Sequence, residues 1–118
     1  MKIDGRREIL EIEGSDISGS RLNDVNFSGS TISDSNLSRL SISQANMAGV
    51  VIDDSTMSGG RFHNMNLSGT IFDDVNLTHG VIENANLTAL HIRNCKLDNM
   101  HIDGVAVADL FAAYRSKP

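Results

Sequence analysis

Residues 25–49 read VNFSGSTISDSNLSRLSISQANMAG, and an apolar residue returns at every fifth place: Phe27, Ile32, Leu37, Ile42 and Met47. Working outward in both directions, the register runs without interruption from Ile17 to Val107, and all nineteen positions are Ile, Leu, Val, Phe or Met. Those five types account for 37 of the 118 residues. Chance alone would give such a column with a probability on the order of 10⁻¹⁰, so periodicity is the primary signal here. A helix is excluded, because five residues advance about 500° around an α-helix and scatter the apolar positions over all sides.

The neighbours of each apolar residue describe one unit. Two places earlier stands a small or apolar residue, as at Ser15, Val25, Ser35, Ala45, Ser55, Val75, Ala85 and Cys95. Residues two apart on a strand point the same way, so both face inward. The residue between them faces outward and is Asn at 26, 36, 46, 66, 76 and 86. Turn formers follow, and each unit is in–out–in and then a corner. A three-residue strand cannot bury its own apolar pair, so the units have to stack into a continuous core. Leu40, Met65, Leu90 and Met100 stand at the small inward position and leave the local coil width open.

Ser, Asn, Asp and Gly together contribute 46 residues, a mix that would favour disorder if it were unpatterned. The lone Cys95 excludes an intramolecular disulfide framework. The N-terminal stretch MKIDGRREILEIEG lacks the apolar run of a signal peptide, and no stretch approaches a membrane span of about 20 apolar residues. A soluble cytoplasmic setting is expected. The net charge of −5 argues against direct nucleic-acid binding, because phosphate contacts need clustered Lys and Arg. A charged partner would be basic.

The units Val25-Asn26-Phe27-Ser28-Gly29, Ala45-Asn46-Met47-Ala48-Gly49 and Ala85-Asn86-Leu87-Thr88-Ala89 resemble the A(D/N)LXX units of the pentapeptide-repeat family. The closing stretch from His101 to Phe111 is similar to the ending of many small bacterial members. The resemblance implies an all-β fold, a right-handed four-sided parallel β-helix with four units per coil. Nineteen units then make about 4.75 coils, a stack about 23 Å tall at ~4.8 Å per layer. The expected organisation is a lid over residues 1–14, the β-helix over 15–109, and a capping helix and tail over 106–118. Within the lid, Leu10 and Ile12 extend the register while Arg7 breaks it.

The capping helix is read from Val107, Leu110, Phe111 and Tyr114, which share one helical face, with Asp109 early and Arg115 and Lys117 late to suit the dipole. Family resemblance implies that such C-terminal segments also mediate dimers. Leu110, Phe111 and Tyr114 are therefore candidate cap or homodimer contacts.

With four units per coil, residues twenty apart share a side. One side carries Asp34, Asp53, Asp54, Asp73 and Asp74, followed by Arg93 and Asn94, with Val51 and Ile71 exposed beside them. These five aspartates are the candidate acidic binding face. The plain alternative is that Asp at a corner serves turn chemistry and solubility. Another side, with Asn26, Asn46, Asn66 and Asn86 above small residues, is flat and uncharged.

No catalytic, metal or cofactor residues are expected. His63, His79, His91 and His101 fall on at least three sides, whereas zinc needs about four converging ligands. No Ser has a His and an acid in a recognisable order, and a narrow column without inserted loops offers no cleft. The expected function is a non-enzymatic interaction or scaffold module for an undetermined protein partner. The resemblance implies an alternative, a DNA-mimicking binder of a type II topoisomerase of the quinolone-protection kind acting through the acidic face. Members of that kind are longer, and some carry projecting loops that this chain lacks.

Overall fold

In the computed structural model, which describes residues 2–4 and 11–116, each five-residue unit forms one wall of a coil, and four units bring the chain back to its starting wall. The strands are β1 (Lys2–Asp4), β2 (Glu11–Glu13), β3 (Arg21–Asn23), β4 (Thr31–Ser33), β5 (Ser41–Ser43) and β6 (Val51–Thr56). They continue as β7 (Arg61–Asn66), β8 (Ile71–Asn76), β9 (Val81–Asn86), β10 (His91–Arg93), β11 (His101–Ile102) and β12 (Val105–Ala106), and helix α1 (Val107–Arg115) follows.

The odd-numbered strands together with β12 stack into one seven-stranded sheet in the order β1-β3-β5-β7-β9-β11-β12, and the other even-numbered ones into a five-stranded sheet, β10-β8-β6-β4-β2. Pairing is parallel with a 20-residue offset, as in Arg21↔Ser41 and Thr31↔Val51. The hairpin β11–β12 is antiparallel. Isolated bridges such as Asn26↔Asn46 and Asn36↔Thr56 join the remaining two walls. The chain is thus a parallel β-solenoid of about five turns with one short C-terminal helix, as the five-residue period requires. At the N-terminus β1 joins β3 with an offset of 19 residues, Ile3 against Leu22. Ile12 takes its register place against Ile32, whereas Arg7 and Leu10 lie outside the described residues.

The corners alternate in kind, which gives a ten-residue period inside the five-residue one. After Ile17, Phe27, Leu37, Met47 and their successors, an N–H three residues on donates back to the apolar residue's carbonyl, as in Ser30 N to Phe27 O at 3.1 Å. The third residue of that turn has positive φ, the mark of a type II turn, and Gly29, Gly49 and Gly69 fill it without strain. The outward Asn completes the turn: the Oδ1 atoms of Asn26, Asn36, Asn46, Asn66, Asn76 and Asn86 accept the N–H two residues on, at 3.0–3.2 Å. Both kinds of corner bond to the next coil, as in Gly29 N to Ala48 O at 3.0 Å and Asp34 N to Asp53 O at 3.2 Å.

The core is the inward column itself. Phe27, Leu37, Met47, Ile52, Met57, Leu67, Phe72 and Leu77 have no exposed surface. The large residues at the small inward position fit because their stack neighbours are small. Leu40 and Met100 are 1 % exposed, and Gly60 and Gly80 lie between them in the column. Met65 is 4 % exposed between Ala45 and Ala85. A buried hydroxyl ladder runs beside them: Ser35 and Ser55 each donate to the carbonyl two residues back and accept an N–H from the coil above. Cys95 continues this column and donates to Arg93 O at 3.1 Å, and partial burial raises its thiol pKa.

Candidate functional site

The acidic ladder is assembled by the 20-residue offset. Asp53 pairs in register with Asp73 on adjacent strands of the five-stranded sheet, and Asp34, Asp54 and Asp74 stand at successive corners beside them. Strand stacking sets the rungs about 4.8 Å apart, so like charges are held closer than water would leave them. Asp54 records the crowding: its carboxyl pKa is raised, first by a hydrogen bond with Asp74 and then by the charge of Asp53. One rung down the charge reverses. Arg93 Nε donates to Asp73 Oδ2 at 3.2 Å and Asn94 Nδ2 to Asp73 Oδ1 at 3.1 Å. A shallow depression of ≈ 360 Å³ beside the ladder is bordered by Asp54, Thr56, Asp74, Asn94 and Lys96.

Corner chemistry accounts for part of this ladder. Asp34, Asp54 and Asp74 all have positive φ, at 50°, 49° and 55°, a conformation that Asp and Asn tolerate best after Gly. Asp24, Asn64, Asn84 and Asn94 do the same duty elsewhere. Asp53 and Asp73 are not at that position, and Ser33, Ser43, His63 and Arg93 occupy its equivalents in other coils. Local backbone geometry does not call for their carboxylates. Val51 and Ile71, read from sequence as exposed, are half-buried on the sheet surface next to them.

The second candidate region is the C-terminal end. Helix α1 buries only Val107, whose N–H donates to Met100 O at 2.9 Å. Leu110 is 47 % exposed, Phe111 45 % and Tyr114 71 %, and Val105 joins them at 45 %. The Arg115 guanidinium lies over the Phe111 ring, 5.4 Å from its centroid. Leu87, Leu90, Ile92, Leu97 and Ile102 are only half-buried. The helix therefore stands against the last coil without sealing it, and a depression of ≈ 400 Å³ lies between Leu97, Asp98, Val107 and Phe111.

Among the described residues no group of three or more His, Cys, Asp or Glu is arranged to hold a metal ion. No helix among them is long and apolar enough to cross a membrane. The seven-stranded sheet carries Arg21, Ser41 and Arg61 in one column with His63 beside them. The sequence reading missed this group, although the 20-residue spacing contains it.

The family described as pentapeptide repeats matches the sequence in eight copies, over residues 12–49, 45–81 and 58–89. Among solved structures, the pentapeptide repeat protein Rfr23 of the cyanobacterium Cyanothece 51142 superposes with a TM-score of 0.61 at 16 % identity, covering 86 % of this chain and 88 % of that one. A pentapeptide repeat protein of the Arabidopsis thaliana thylakoid lumen gives a TM-score of 0.60 at 20 % identity, covering 93 % and 74 %. At these identities the likeness is one of fold. No curated protein sequence matches the chain.

Proposed function

Because the chain belongs to the pentapeptide-repeat family, we propose that it is a non-enzymatic interaction module that pairs with a second copy of itself through its C-terminal end and offers its side walls to a protein partner in the cytoplasm. One observation carries this reading: the large apolar residues exposed among the described ones, Val105, Leu110, Phe111 and Tyr114, all lie within one stretch at that end. They border a core whose last coil is half open. Two such ends are alike in shape and apolar character, so a two-fold axis perpendicular to the column brings them together as one self-complementary contact. Exposed apolar patches on this pattern mark interaction surfaces.

Sedimentation analysis tests the pairing. The chain should sediment as a dimer of 12.8 kDa subunits, and Leu110→Glu with Phe111→Glu should give a folded monomer. A wild-type chain that stays monomeric at high concentration would overturn the pairing.

A second reading is favoured by the Asp53–Asp73 rungs, which corner chemistry does not require. Together with Asp34, Asp54 and Asp74 they form a rigid row of carboxylates suited to a basic groove, as in a DNA mimic of the type II topoisomerase-binding kind. Supercoiling by gyrase, with and without the protein, tests it. Inhibition that is lost when Asp53, Asp54, Asp73 and Asp74 are all changed to Asn would support the mimic, and no effect would remove it.

A further inference from the structure

The wall opposite the acidic ladder has its own charge order. Arg21, Ser41 and Arg61 are successive in-register residues of β3, β5 and β7, so they form one straight outward column. The backbone register continues it upward, with Lys2 of β1 against Arg21. Rungs stand about 4.8 Å apart, which places the two arginines about 10 Å apart with a short serine between them. His63 lies two residues beyond Arg61 on the same strand and faces the same way.

Among the described residues neither arginine pairs with a carboxylate: the ion pairs there are His63–Glu83, Arg93–Asp73 and Lys96–Asp98. This is unexpected in a chain with 15 acidic and 10 basic residues. The acids on this wall nearest the arginines are Asp4, which the backbone register sets against Asn23, Asp24 at the corner after β3, and Glu83, one rung below His63 and 3.7 Å from it. The acidic ladder lies across the core. Phe62 of β7 and Phe72 of β8 meet edge-on there with ring centroids 6.1 Å apart, so the packed core separates the two walls.

We propose that Arg21, Ser41, Arg61 and His63 form a binding site for a phosphoryl group, free or as a phosphate monoester. Two guanidinium forks can each present paired N–H donors to a tetrahedral oxyanion, the Ser41 hydroxyl forms the floor, and an imidazole N–H closes one side. Serine at 41 leaves the gap in which the anion sits. The sheet holds the donors in fixed register, so little backbone order has to be paid on binding. An adjoining depression of ≈ 300 Å³, bordered by Arg61, His63, Val81 and Glu83, has room for the organic part of an ester.

The test is a titration of isotope-labelled protein with inorganic phosphate and, separately, with glycerol 3-phosphate, followed by amide NMR shifts at constant ionic strength in chloride. Saturable shifts centred on residues 21, 41, 61 and 63 are expected. Arg21→Gln with Arg61→Gln should weaken binding by at least roughly tenfold, as removal of charge-assisted pairs does. Ser41→Glu, which fills the gap with a carboxylate, should abolish it, and Arg39→Gln on the neighbouring wall should leave it unchanged. Tighter binding of the ester assigns the depression to its organic part, and equal binding assigns the site to free phosphate. Unsaturable shifts, shifts shared equally by Arg39 and Arg93, or affinity that survives the double variant would overturn the site. None of these outcomes depends on the oligomeric state.

Discussion

Leu67 and Leu87 occupy the same wall one coil apart, with the same residue type and the same backbone register, since Asn66 pairs with Asn86 beside them. Leu67 has no exposed surface, whereas Leu87 is half-buried. The contrast repeats down the other columns: Phe72 and Leu77 are sealed, while Ile92 and Leu97 are not. Burial in a solenoid therefore depends on what lies on both sides of a rung, not on the residue itself. The middle coils are closed above and below. The last coil is closed only above, because α1 contributes Val107 and leaves Leu110 and Phe111 about half exposed.

The sharpest way to break this comparison is to put the same charge at both places. Leu67→Asp buries a carboxylate with no partner and should cost several kcal/mol, enough to unfold the middle coil. Leu87→Asp can hydrate its carboxylate at the open end and should cost about 1–2 kcal/mol, in the range of partly exposed sites. Urea unfolding midpoints of the two variants decide it, and equal losses would mean that the end is sealed. If the chain pairs end to end, the Leu87→Asp cost also grows with protein concentration, because the dimer rather than the coil then excludes water.

Much of this contrast was out of reach of the sequence. The inward column could be read because nineteen apolar residues keep one spacing, and a single strong period overrides the scarcity of aromatics. The acidic row could be read once the family resemblance supplied four units per coil, which turns sequence distance into stacking. The ten-residue alternation of corners was present in the placement of Asn26, Asn36 and Asn46, but a five-residue reading averages it away. The fit of Leu40 and Met100 around Gly60 and Gly80 needed the column as a unit of volume rather than each residue alone. The open end was not legible. The spacing of Leu110, Phe111 and Tyr114 announces a helix with an apolar face, but not whether that face lies on its own chain.

A smaller effect probes where the closed region ends. A Cβ at Gly80 would stand 2.9 Å from Leu77 O and 3.8 Å from the Met100 side chain, and neither Gly80 nor Gly60 has positive φ. Gly80→Ala should therefore cost about 1–3 kcal/mol through overpacking, despite the usual gain from restricting the unfolded chain. Gly60→Ala meets Met57 O at 3.1 Å and should cost less. Thermal unfolding of the pair measures the difference, and a neutral Gly80→Ala would show that the column gives way at the border of the last coil.

The smallest effect lies on the surface, where the same boundary divides uncompensated from compensated charge. In the closed coils Asp54 faces Asp53 and Asp74, whereas the last coil supplies Arg93 to Asp73. The Asp54 carboxyl pKa is raised above its ordinary 3.8, so the folded chain holds that proton more tightly than the unfolded chain. Its contribution to stability is then greatest below the unfolded value and is lost as pH rises through the folded one. Asp16, outside the ladder, has the opposite sign: hydrogen bonds from Ser18 lower its pKa, and its contribution is present above 3.8 and is lost as pH falls through the folded value. Asp54→Asn should therefore stabilise the chain slightly at neutral pH and change nothing in strong acid, while Asp16→Asn should weaken it slightly at neutral pH. Unfolding midpoints measured across the acid range separate the two. An Asp54→Asn that weakens the chain at neutral pH would mean that stacking like charges on the closed coils carries no cost.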